Sequence, residues 1–289
     1  MATELQDGRV DLTQQEWWMR LAVVFVPAVA GLVVLLCIDP IPQDPDYHHF
    51  ADTRTFLLIP HVGDVVTNLA LLLIGMRGLI FMLRNSPHRR RQPFREFRER
   101  LAYSIFFSGV ILTGLGSTWY HLDPSAGSLF WDRLPMAVTF MSLLAIIIGE
   151  RVGTRMGNSL LWPLLIVGVG SVIYWHLTES LGRGDLRFYV LTQFYPMVAI
   201  PLMLLLFPPR YTEGNLFWIV VVFYGVAKIC ELLDEQIYHT IRLVSGHSLK
   251  HLFSAAAVWW VVQILKKRDP LPLEKTGPAQ TGNEAPPQK

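Results

Sequence analysis

Eight stretches of this chain are long and apolar enough to cross a bilayer, and no other feature restricts its fold so severely. A crossing helix needs about 20 mostly apolar residues. It must also pair its own backbone groups, because hydrocarbon offers them no partner. The stretches are residues 17–38, 62–83, 101–121, 128–151, 159–177, 186–207, 216–233 and 248–266. The expected class is therefore all-α and polytopic, integral to the membrane. Composition agrees: 52% of the 289 residues are apolar and 17% are charged, against about 25% charged in soluble chains.

The charges gather in the connections. The second loop, "RNSPHRRRQPFREFRER", is densely basic. "RVGTRMGN", "PPRYTEGN" and the "KKRD" after the last stretch also carry positive residues, whereas the first loop, "DPIPQDPDYHHFADTRTF", is acidic. Basic loops stay cytoplasmic. An even number of crossings then places both termini in the cytoplasm, residues 89–100 with them, and the first loop outside. Residues 267–289, rich in Pro, Gly, Gln and Lys, are expected to form a disordered cytoplasmic tail. A net charge of +2 is too small to argue for a nucleic-acid partner. Cys37 and Cys230 lie far apart in apolar stretches and imply no disulfide framework. The run 21–38 is long for a signal-peptide core and no A-x-A-like site follows it, so it is expected to remain as a membrane helix.

Against this apolar background, "GSTWYHLDPSAGSLFWDRLP" stands out. Ser117 and His121 are four residues apart and share a helix face. A short turn-forming connector follows, and Asp132 comes early in the next helix, close in depth to His121. In "SGHSLKHLF", His247 and His251 repeat the four-residue spacing at the start of the last helix. Three helices thus bring Ser117, His121, Asp132, His247 and His251 to one depth on the outer side. Three imidazoles are a sufficient donor set for a catalytic Zn²⁺. Asp132 suits a proton acceptor and Ser117 a donor to a developing oxyanion. Ionisable groups inside spans are functional by default.

The motifs S-x3-H in "STWYH", the Asp of "FWDRLP" and H-x3-H in "HSLKH" resemble those of the alkaline ceramidase family. That family belongs to the CREST group of membrane hydrolases, which includes the adiponectin and progestin receptors. The resemblance covers about residues 46–266 as a seven-helix core, with residues 1–45 adding one extra N-terminal transmembrane helix. It implies a zinc-dependent hydrolase that cleaves the N-acyl amide bond of ceramide or a similar sphingolipid with a metal-activated water. His121, His247 and His251 would bind zinc, with Ser117 and Asp132 as catalytic partners. The substrate would be a membrane lipid that enters from the bilayer. Eukaryotic members also bind Ca²⁺ through an acidic segment before the first core helix. The matching stretch, "PDYHHFADTRTFLLIPHVGDVVTN", has Asp46 and Asp52 but no dense run of acids, and His61 stands where the family has a Glu. Ca²⁺ is therefore a weaker expectation than Zn²⁺. The extra helix points to a bacterial-type member in the inner membrane, with its site near the periplasmic face.

Two other functions fit part of the pattern. A receptor or lipid sensor of the same fold could retain the metal with little turnover. A haem protein could use histidines from different helices, although two histidines on one helix face with Ser and Asp opposite suit a tetrahedral ion better. Several polar residues also have structural readings. Asp64 and Asn68 could support the site or join helices. Lys228 and Glu231 fit an intrahelical ion pair, with Asp234 nearby. His176 and Glu179 fit interfacial positions at the end of the fifth stretch, and His239, in an outer loop, could be a spare metal ligand. Glu150 and Arg151 fit a cytoplasmic helix end. Lys250 is expected on another helix face, snorkelling to the interface. Most Trp residues, Trp175 included, fit an aromatic belt.

Overall fold

The computed structural model describes residues 13–84 and 93–272. The described residues form nine α-helices and no strand: α1 Gln14–Cys37, α2 Val62–Arg84, α3 Phe97–Leu122, α4 Ala126–Arg151, α5 Thr154–Ser180, α6 Arg187–Leu206, α7 Phe217–Leu232, α8 Asp234–Ile241 and α9 Gly246–Lys267. Eight helical segments are long and apolar enough to span a membrane, the seventh being Gly214–Leu232, which includes a 3-10 turn before α7. The eight anticipated stretches each fall on one of them. The chain is an all-α, multi-pass membrane protein.

The helix ends reflect local sequence. Thr13 and Glu16 form a capping box at the start of α1, and Ser125 and Ser128 form one at the start of α4. Two observed features go beyond the apolar stretches. The helix α3 begins at Phe97, four residues before the expected stretch, and Glu99 in its first turn is buried. The short helix α8 is amphipathic rather than uniformly apolar, so hydropathy alone does not mark it.

Helices α2, α3, α4, α6, α7 and α9 pack in a ring, with α5 against α4 and α6 and touching α3, and with α1 packed chiefly against α6. The thinnest contact around the ring lies between α6 and α7. Most of α1 faces outward, as a lipid-exposed helix should. Its few ties include the Arg187 guanidinium, which donates to the Leu35 and Ile38 carbonyls at 3.1 and 2.6 Å.

At the end of the bundle away from the motif histidines, the polar side chains pair with one another. Glu150 accepts from Tyr103 Oη at 2.6 Å and from Arg268, while Glu99 accepts from Tyr211. Arg151 donates to the Phe207 and Gly214 carbonyls at 3.1 and 2.6 Å. Glu150 and Arg151 do end α4, but buried. The ordered chain also continues past residue 266. Arg268 is buried, Thr212 N–H donates to the Asp269 carbonyl, and Leu271 N–H donates to the Arg210 carbonyl. The expected tail beyond, residues 273–289, lies outside the described residues, as do residues 85–92 of the basic loop and 1–12 of the N-terminal segment.

Candidate metal centre

All three motif histidines meet. His121 from α3 and His247 and His251 from α9 are buried, and each offers a ring nitrogen within 4.8 Å of the others. Their ring centroids are 4.7 Å (His121–His247), 5.3 Å (His121–His251) and 5.0 Å (His247–His251) apart. Two close helix approaches make this possible. At Gly116 a Cβ would collide with the Trp131 carbonyl, so glycine lets α3 and α4 touch beside Ser117 and Asp132. At Gly246 a Cβ would run into the Cys230 carbonyl and lie 2.7 Å from Asp234 Cα, so glycine seats the first turn of α9 against α7 and α8.

That first turn is held by carboxylates from two other elements. Asp64 on α2 accepts from Ser245 Oγ at 2.9 Å and from Ser248 Oγ at 2.6 Å. Asp234 accepts from the His247 N–H at 2.7 Å and the Ala51 N–H at 3.2 Å. Asn68, one turn after Asp64, donates to Ser117 Oγ at 3.1 Å. Asp64 and Asn68 therefore join helices and support the site at once. Ser117 Oγ lies 3.5 Å from His251 Nε2, and Asp132 faces both Ser117 and Lys250.

The donor set fits a metal. Both ring nitrogens of His121 are buried with no hydrogen-bond partner, and each such orphaned group costs about 1–3 kcal/mol. His251 Nδ1 lies 3.0 Å from Thr67 Oγ1, which leaves Nε2 turned inward. A second contact that orients a ligand ring in this way is usual at metal sites. His247 carries a condition. Its Nε2 lies 2.7 Å from Lys250 Nζ. One imidazole nitrogen has a single lone pair, so Nε2 cannot hold an ion while accepting from an ammonium. Ligation through Nε2 requires Lys250 to turn wholly to Glu231 Oε1, already 3.1 Å away. Lys250 is thus corrected from an interfacial residue to a site neighbour. Glu231, paired with Lys228 as its spacing suggests, also bridges to Lys250.

The remaining residues disperse. Among the described residues, Asp46 and Asp52 do not gather. Asp46 pairs with His49, and Asp52 is fully buried against Arg54, whose Nε and Nη2 donate at 2.7 and 2.6 Å. Burial pushes the Asp52 carboxyl up, but the Arg54 bonds outweigh it and hold the group below the usual aspartate range. His176 lies against Phe130 with ring centroids 4.5 Å apart, and His239 is exposed outside the cluster. Trp175 is fully buried, with the Arg133 guanidinium 4.4 Å from its ring centroid, and so leaves the aromatic belt. Trp119 and Trp131 are exposed near helix ends, as expected.

Sequence spacing does not reveal Phe50. It comes from the α1–α2 connection and packs its ring 4.5 Å from His121 and 5.1 Å from His247. Below the histidines lies a cavity of about 290 Å³. Ser117, Asp132, Lys250 and His251 form its polar end, while Phe106, Val110, Ile147 and Val261 are among its apolar walls. Along α4 the lining runs from Asp132 to Ile147, fifteen residues or roughly 22 Å at the helical rise. No family model, curated protein or solved structure matches the chain.

Proposed function

We propose that this chain is a zinc-dependent intramembrane lipid amidase that hydrolyses the N-acyl amide bond of ceramide or a ceramide-like lipid. The observation that carries the proposal is the His121 ring. Both of its nitrogens are buried without partners, facing two more imidazoles, of which His251 lines the polar end of a long apolar cavity. The resemblance of "STWYH", "FWDRLP" and "HSLKH" to alkaline ceramidase motifs supplies the reaction class.

His121, His247 and His251 would hold the ion. A bound zinc supplies Lewis-acid polarisation of the amide carbonyl and lowers the pKa of water. The chain's own residues divide the remaining work. Asp132 takes a proton at its carboxylate and returns it to the departing amine nitrogen. Ser117 Oγ, held by Asn68 Nδ2, can give its own proton toward the developing oxyanion. Thr67 fixes the His251 ring, and Asp64 fixes the helix turn from which both α9 histidines project. The apolar walls take the acyl chain. Entry is lateral, through the thin α6–α7 contact, with Pro196 and Pro201 on α6 beside the cavity.

In the proposed topology both termini lie in the cytoplasm of a bacterium, and the histidines lie near the periplasmic face of the inner membrane. Basic-loop placement and the even number of spans support it. The test is release of fatty acid from ceramide and related lipid amides by purified, zinc-loaded protein. Turnover of at least one amide is expected. A zinc-replete protein that hydrolyses no lipid amide or ester refutes the amidase and favours a lipid sensor.

A further inference from the structure

The turn at residues 56–59, "FLLI", lies between the strap that carries Phe50 and the start of α2. Phe56, Leu57 and Leu58 are 62%, 78% and 95% exposed. Leu57 and Leu58 both have positive φ, 48° and 66°. Two successive positive φ values between paired residues mark the tight hairpin turn that ordinarily takes Asn-Gly. Two leucines are a costly choice for that backbone, so local folding preference does not account for them.

The outer pair of the turn is nevertheless closed, while the Leu57 and Leu58 backbone groups have no protein partner among the described residues. Phe56 N–H donates to the Ile59 carbonyl at 3.1 Å, and Ile59 N–H donates back to the Phe56 carbonyl at 2.9 Å. This pairing lowers the cost of bringing the segment to the membrane. The unpaired Leu57 and Leu58 backbone groups keep the tip at the hydrated headgroup level, with only its side chains reaching toward hydrocarbon. The turn also lies close in sequence to a lipid-facing surface. It leads into α2, whose Val66, Leu69 and Leu73 are exposed along the membrane-spanning length. Its base is bolted to the ligand layer. Val62 N–H donates to the Arg54 carbonyl at 3.2 Å, and Arg54 Nη2 donates to the Leu243 carbonyl at 2.8 Å. His61 Nδ1 lies 2.9 Å from the Asp52 carbonyl, and the His61 ring packs 5.2 Å from Phe50.

We propose that the Phe56–Ile59 turn is an interfacial wedge whose Phe56, Leu57 and Leu58 side chains insert into the lipid leaflet on the histidine side. Insertion fixes the Phe50 strap over His121 and His247 at the level of the headgroups. The occupant is the leaflet itself, because the exposed side chains are wholly apolar and lead within a few residues into α2, a membrane-spanning helix with exposed apolar residues of its own.

The test uses the full chain in lipid nanodiscs, with Cys37→Ala and Cys230→Ala as background. An environment-sensitive fluorophore is placed at Leu58→Cys and, as a control, at Thr53→Cys, which is exposed at the base of the strap. The wedge predicts blue-shifted emission at residue 58, quenching by brominated acyl chains, and weaker quenching by aqueous iodide than at residue 53. Equal iodide quenching at both positions would overturn it. A dry signal at residue 58 that brominated lipid does not quench would also overturn it, since the cover would then be protein. As a check on folding, Leu57→Asn/Leu58→Gly supplies the pair that the turn backbone prefers. The protein should stay folded while a fluorophore at Phe56→Cys loses most of its lipid quenching. Undiminished quenching there would count against insertion by the two leucines.

Discussion

The two ends of the bundle bury comparable polar clusters and treat them differently. At one end, Glu99, Glu150, Arg151 and Arg268 each find a protein partner, and the cluster joins the α3 start, the α4 end and the chain after α9. At the other, His121 finds none, although neighbouring imidazoles lie within reach. The first cluster leaves only single atoms of otherwise paired side chains unmet, Glu150 Oε2, Arg151 Nε and Arg268 Nη2, and acts as a fastener, whereas His121 has no partner at either ring nitrogen. A cluster that leaves a buried ring unpaired, facing further ligands, has the form of a binding site. Burial and charge alone would not separate the two; the hydrogen-bond partners do.

The largest expected effect lies at the open end. Asp132→Asn keeps the shape but cannot accept a proton. Turnover of a lipid amide should fall by a factor on the order of 10²–10⁴, with zinc content unchanged. Parent-like turnover in a zinc-replete variant would remove the proton role from Asp132.

At the closed end, Arg268→Met leaves Glu150 buried without its cation, with only the Tyr103 hydroxyl still donating to it. Breaking a buried pair from one side costs about 3–5 kcal/mol. Thermal unfolding in detergent should therefore shift sharply downward, while the protein that remains folded keeps its zinc. Loss of zinc without loss of stability would reverse the roles assigned to the two ends.

Ser117→Ala should cost on the order of 10²–10³ in turnover if its hydroxyl is a main oxyanion donor, again with the metal retained. Thr67→Val, which releases the His251 ring and gives up the hydroxyl's bond to the Gly63 carbonyl within α2, should weaken zinc affinity about 10–100-fold. Competition with a chromogenic chelator would measure that loss, and an unchanged affinity would make the Thr67 contact incidental.

The smallest effect concerns the strap. Asp52 has a folded-state pKa below its unfolded value because of Arg54. Its contribution is therefore fully present above the ordinary aspartate pKa and is lost as pH falls through the depressed one. Stability of the parent minus that of Asp52→Asn should be constant near neutral pH and shrink in acid. Melting curves across that range would show it, and a difference that grows in acid would contradict the sign.

Much of this was legible in the sequence for physical reasons. Lipid forces helices to be long and apolar, so hydropathy located eight spans. The four-residue helical repeat placed Ser117 with His121 and His247 with His251. What the spacing could not carry was long-range closure. Phe50 reaches the histidines from a loop, Thr67 meets His251 across 184 positions, and Arg268 meets Glu150 across 118. Lys250 shows the same limit. Its place between two motif histidines suggested another helix face, but Glu231 on α7 draws it into the site. The early start of α3 was masked by Glu99, whose charge resembled loop sequence until Tyr211 paired it.

The claim that the open end is a metal centre is tested most directly by elemental analysis of the purified protein alongside His121→Ala, His247→Ala and His251→Ala. The expected result is one zinc per chain in the parent and a sharp loss in each variant, because two remaining imidazoles hold the ion poorly. Full zinc content in all three variants, or none in a parent protein prepared with zinc present, would contradict it.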